Sequence, residues 1–181
     1  MKIELKNFKT FPRMSEETLA FVADVYINGV KAAFAKNDGH GGPTYYANVG
    51  QILNAKLVSQ AEEWAKAQPD HKYESSHGMK EFSVKMDLEH YIDLLVASQE
   101  EKQMLAKRQV AGLVVGVPGS EQLSIFKIRQ TRGLPKRTIA NLSIENLKSL
   151  VANVTKQLKP GERILNTNLP TEITNGMSKA S

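Results

Sequence analysis

Cysteine is absent from the 181 residues. That excludes disulfides, thiol nucleophiles and cysteine-ligated zinc, and it fits a reducing cytoplasm as the expected location. Long apolar runs are absent too. The longest, Val110–Val117, has eight residues, far short of the roughly 20 that a membrane-spanning helix requires. The opening "MKIELKNFKTFPRM" has no apolar core of the kind a secretory leader carries, so none is expected. The chain also lacks GxxxxGK[ST], GxGxxG, HExxH and GxSxG. No carboxylate pair stands out as an acid–base dyad. No catalytic residue, metal ligand or cofactor is therefore nominated, and a binding protein is the expectation rather than an enzyme.

What is present is ordinary in amount, at 41% hydrophobic and 24% charged residues, and suits a globular domain able to bury its own core. The pattern predicts one α+β domain over residues 1–166 and a fraying tail from 167 to 181. The fold expected is a mainly antiparallel sheet built from two hairpins, with helices packed on one face.

Met1–Thr10 reads as a strand. Leu19, Phe21, Ala23, Val25 and Ile27 are apolar at period two, Asn28-Gly29 follows, and Val30, Ala32 and Phe34 resume the alternation. Asn-Gly suits a two-residue type I′ turn because both positions take positive φ. This predicts Ile27 opposite Val30, Val25 opposite Ala32 and Ala23 opposite Phe34, all on one buried face. Helical spacing follows from Gly50 to Gln68, and again after Asp87, a candidate N-cap, with Ser98–Gln109 as an extension or a separate turn. Pro69–Gly78 reads as a loop and Glu81–Met86 as a short strand. Leu113–Val117 and Leu123–Arg129 predict a second hairpin around Pro118-Gly119, in the order a type II turn prefers. Ser143 caps a third helix that ends before Pro160, and Arg163–Asn166 can add an edge strand.

Two stretches carry candidate chemistry. The first is "KNDGHGGPTYY", Lys36–Tyr46. Its Asp38, Gly39, His40, Gly41 and Gly42 make the alternative site: consecutive glycine amides can nest an anion or nucleotide, and a histidine between glycines can exchange protons near neutral pH. A turn leading the chain off the hairpin accounts for the same residues without a ligand. His71 and His77 lie in another polar loop and can approach His40, while His90 reads as a helix-surface residue.

The second stretch is "KIRQTRGLPKR". Lys127, Arg129, Arg132, Lys136 and Arg137 fall in eleven residues without an acid, and these five equal the whole net charge of +5. Such a local excess attracts an anionic partner, nucleic acid or an acidic protein surface. Gln130, Thr131 and Thr138 add hydrogen-bonding capacity.

"KIELKNFK" (Lys2–Lys9), "SEET" (Ser15–Thr18), "FVADVYINGVK" (Phe21–Lys31) and "KNDGHGGPTYY" follow one another in the N-terminal third. This order resembles that of small uncharacterised accessory proteins encoded by bacteriophages, prophages and plasmids. The resemblance implies a protein of a mobile element, acting in a bacterial cytoplasm by binding and inhibiting a host or defence macromolecule. It carries over no catalytic residue.

Overall fold

Asn28 and Gly29 take φ of 49° and 84° in the computed structural model, so the Asn-Gly turn has the left-handed pair expected of it. The structure describes residues 1–46, 50, 52–73, 80–118 and 122–177. Its class is α+β, with antiparallel strand pairs throughout. Contacts gather into two compact units, Met1–Glu101 and Lys102–Ser181, each with its own apolar cluster. The hydrophobic pattern along the chain carries no sign of this division.

In the first unit, β1 (Ile3–Thr10), β2 (Phe21–Ile27) and β3 (Val30–Asn37) form a sheet in that order. β2 pairs Ile27 with Val30 and Tyr26 with Lys31, and then the register slips: Val25 faces Ala33 and Asp24 faces Phe34. Ala32 is the extra residue, and Ala32 and Ala33 are both buried. A one-residue bulge sends every later side chain of the strand to the opposite face. The expected pairs Val25–Ala32 and Ala23–Phe34 are therefore corrected. Phe34 is 38% exposed and Val30 50% exposed, while Ala33 and Ala35 take the core positions instead. β1 is also irregular between Lys6 and Lys9, where Asn7 has φ of 52°.

The inner face of this sheet supplies Leu5, Phe21, Val25 and Ile27 to the core. Against them lie Val58, Ala61 and Ala65 of α1 (Ala55–Lys66) and Leu88, Ile92 and Val96 of α2 (Leu88–Ala111). Asn54 caps α1 by accepting from the Leu57 amide at 3.1 Å, and Asp87 caps α2 by accepting from the His90 amide at 2.8 Å. α2 runs unbroken through the charged stretch after Ser98. Within the stretch expected as a loop, β4 (His71–Tyr73) pairs with β5 (Phe82–Val84).

The second unit begins in the last turns of α2. β7 (Leu123–Lys127), β6 (Gly112–Gly116) and β8 (Arg163–Ile164) form its sheet in that spatial order. The two hairpins thus belong to separate three-stranded sheets. The expected turn at Gly119 lies outside the described residues. Leu113 and Val115 pack with Leu147, Val151 and Val154 of α3 (Ile144–Thr155), which Ser143 caps by accepting from the Asn146 amide. The C-terminal stretch, expected to fray from 167, instead folds as α4 (Thr171–Met177) with Leu169 and Ile173 buried in the second cluster. Asn166 and Gln109 hold it. The Gln109 amide donates to the Leu165 carbonyl and accepts from Thr167, and Asn166 accepts from the Val114 amide at 2.7 Å. Residues 178–181 lie outside the described residues.

Candidate nucleic-acid interface

The basic stretch starts as β7 ends at Lys127. Ile128 turns inward and is buried, its amide donating to the Ala111 carbonyl at 3.0 Å. The chain then leaves the sheet, turns at Thr131–Leu134 with Gly133 at φ of 83°, and returns to buried Ile139. Gln130 closes the base of this excursion. Its amide nitrogen donates to the carbonyls of Ile128 (3.0 Å) and Arg137 (2.8 Å), and its oxygen accepts from the Arg137 amide at 2.8 Å. Asn141 adds a second tie, donating to the Lys136 carbonyl and accepting from the Thr138 amide. The loop is thus anchored at its root by side chain–backbone bonds, which the sequence suggested only as hydrogen-bonding capacity toward a partner.

Lys127, Arg129, Arg132 and Lys136 are exposed and Arg137 is half-buried. Among the described residues none of the five makes an ion pair. Leu134, 64% exposed, stands at the tip between Arg132 and Lys136. The surroundings reinforce the charge. Lys102–Ser181 holds 13 of the 24 lysines and arginines but 4 of the 19 acids, a formal excess of nine positive charges, whereas Met1–Glu101 has an excess of four negative ones. Charge segregation of this size sets up a one-signed field that draws in polyanions.

The glycine stretch behaves differently. The Gly39 and Gly41 amides and the Gly39 and Gly42 carbonyls are used within the fold. The Gly39 amide donates to the Asn37 side chain at 2.8 Å, and the Gly41 amide to the Thr18 hydroxyl at 3.3 Å. The Gly39 carbonyl accepts from the amides of Glu16, Glu17 and Thr18. Gly39 and Gly41 take φ of 90° and 79°. Thr44 anchors the far end: its amide donates to Glu89 at 3.0 Å and its hydroxyl to Asp93 at 2.6 Å. An approaching anion would meet carboxylates. Glu16 lies 3.2 Å from exposed His40, a side chain on Gly41 would run into the Glu17 carboxylate, and Asp38 is exposed. This geometry supports a structural closure of the hairpin exit. Asn37 and Thr44, both buried, are the anchors that sequence reasoning missed. The Asn preceding the glycines, able to fold back on the amide two residues on, was the available signal.

Gly42, Asn37 and Thr44 also line a cavity of about 280 Å³ with Asp93 and Glu100. Burial pushes the Asp93 carboxyl above the ordinary range, partly offset by the hydrogen bond from Thr44. His71 lies against Tyr73 and His90, with ring centroids 4.6 and 5.6 Å away. His77 lies outside the described residues. Among the described residues there is no group of three or more potential metal-binding side chains and no helix long and apolar enough to cross a membrane.

No protein-family model, curated protein or solved structure matches the chain.

Proposed function

We propose that this chain is a nucleic-acid-binding accessory protein whose second unit docks on phosphates through Lys127, Arg129, Arg132, Lys136 and Arg137. The observation that carries this is the loop's charge: five cations, none in an ion pair among the described residues, on a loop tied at its root by Gln130. Ordering the loop before binding lowers the entropy lost on contact. The rest of the second unit, with eight lysines and arginines against four acids, adds a further excess of four positive charges and long-range attraction. In the mobile-element context that the N-terminal third resembles, occupancy of nucleic acid in a bacterial cytoplasm would shield it from a host or defence protein.

The test is fluorescence anisotropy with labelled duplex and single-stranded oligonucleotides, on the wild-type chain and on Arg129→Glu/Arg132→Glu/Arg137→Glu. These positions are loop residues outside the core, so the variant is expected to melt with the wild type. The wild type is expected to bind, with a log–log salt slope of roughly −3.5 to −4.5 if all five cations meet phosphates. The variant is expected to lose that binding. Failure of the wild type to bind either form of DNA or RNA at about 50 mM salt would overturn the proposal and turn attention to an acidic protein surface.

A further inference from the structure

The two bulges of the first sheet leave a regular grid on its outer face. Glu4, Tyr26 and Lys31 lie side by side across β1, β2 and β3. Lys6, Asp24 and Phe34 form the next row, and Lys9, Val22 and Lys36 the last. The two aromatic residues each have an ammonium group over the ring: Lys6 Nζ is 4.0 Å from the Tyr26 centroid and Lys31 Nζ 4.1 Å from that of Phe34. Phe34 and Val22 remain 38% and 39% exposed. A groove of about 440 Å³ opens here, with Val22 and Phe34 as its apolar wall, Asn7 and Asp24 as its polar centre, and Lys9 and Lys36 at its rim. Its volume is in the range of about 300–1,000 Å³ usual for small-molecule sites.

We propose that this face is a platform for single-stranded nucleic acid, on which an unpaired base lies against Phe34 and Val22, Asn7 faces a base edge, and Lys9 and Lys36 hold phosphates. The chemistry is sorted as such a ligand requires. Aromatic rings on a sheet accept the face of any base. Lys9 and Lys36 stand further out, where the backbone runs. Duplex bases are already stacked and cannot present their faces, so the platform discriminates by strandedness. The proposal deepens the nucleic-acid reading of the basic loop but uses different residues, so the two can fail separately.

Anisotropy of a short fluorescein-labelled oligo(dT) and of a labelled DNA hairpin, measured with the full chain, tests it. Phe34→Leu keeps an apolar side chain on a half-exposed position and is expected to fold, which its melting curve checks. It is expected to weaken oligo(dT) binding by roughly tenfold, the loss of about one stacked base, and to leave the hairpin's duplex affinity unchanged. Phe34→Trp should retain oligo(dT) binding, and Lys9→Ala/Lys36→Ala should weaken it and flatten its salt dependence. If Phe34→Leu binds oligo(dT) as the wild type does, or loses duplex affinity to the same extent, the platform is overturned. In that case a loop charge reversal that still abolishes duplex binding leaves the basic-loop reading standing. A Phe34-dependent oligo(dT) affinity that the loop reversal does not touch would uphold the platform, and a duplex affinity that the reversal also leaves unchanged would remove the loop.

Discussion

Asn7 donates from its side-chain amide to the Asp24 carboxylate at 2.7 Å, from the irregular part of β1 to the strand beside it. Lys31, just before the bulge in β3, reaches the other carboxylate oxygen at 2.8 Å. Asp24 is buried. Burial raises its pKa, but the hydrogen bonds from Lys31 and Asn7 and the Lys31 charge outweigh burial and leave the carboxyl below its ordinary value of 3.8. A carboxyl depressed by folding stabilises the fold at pH above that ordinary value, and the contribution fades as pH falls toward and through the folded value. Lys31→Met should therefore cost about 1–3 kcal/mol at neutral pH, by stripping a buried carboxylate of its charged partner. The gap between variant and wild type should narrow below about pH 4. Denaturant melts at both pH values check this, and a gap that stays constant would show that Lys31 stabilises by packing alone.

Gly39 and Gly29 both have positive φ, yet they differ in space. A Cβ on Gly39 would collide with the Met14 carbonyl oxygen and press on Ala20, whereas a Cβ on Gly29 would meet nothing. Gly29→Ala is expected to cost about 1 kcal/mol, the strain of the left-handed region alone. Gly39→Ala should cost about 3 kcal/mol or more, because backbone has to move as well. His40→Ala, at the exposed position after Gly39, where the ring meets only the exposed Glu16 carboxylate, should change stability by less than about 0.5 kcal/mol. Thermal melts of the three variants decide the order. Equal losses at Gly29 and Gly39 would mean that the Met14 contact is not a constraint.

Gln130→Ala leaves all five loop charges in place and removes three hydrogen bonds at the loop's root. Nucleic-acid affinity should fall roughly fivefold, from the added cost of ordering a loosened loop, while the salt slope, which counts phosphate contacts, should stay the same. An unchanged affinity would show that the loop's order is irrelevant to binding.

Asn166 serves three backbone groups at once. It accepts from the Val114 amide and donates to the carbonyls of Gln109 at 3.3 Å and Gly112 at 3.1 Å. Asn166→Ala strands these groups in a partly buried place and should destabilise the second unit by about 2–4 kcal/mol. Amide exchange at Val114 should accelerate sharply. Exchange at Val25, in the first unit's core, is the internal reference: acceleration there to the same degree would mean that the two units unfold as one.

Short-range chemistry in the sequence was enough for the Asn28-Gly29 turn, the caps at Asp87 and Ser143, and the start of the β2–β3 ladder. Each depends on residues within a few positions of one another. The α+β class followed from the order of those elements. The concentration of charge in Lys127–Arg137 was legible for the same reason, since formal charge needs no fold to be counted. What lay beyond a short window was not legible. Alternation placed Phe34 inside, but it has no means of announcing the extra residue at Ala32. Two small alanines fit side by side over Val25, and the face that Phe34 lost to them became the outer grid with Tyr26, Asp24 and four lysines. The polar end of the chain looked unable to bury itself, because the partners of Asn166 and Thr167 lie more than fifty positions earlier, at Gln109 and Val114. The glycine loop shows the same limit from the other side. Its residue types suit an anion as well as a turn; the bond from the Gly39 amide to Asn37 is local, but only the tertiary structure brings Thr18 to the Gly41 amide and Glu16–Thr18 to the Gly39 carbonyl, because hydrogen-bonding capacity is a property of composition while its satisfaction depends on what the fold brings near.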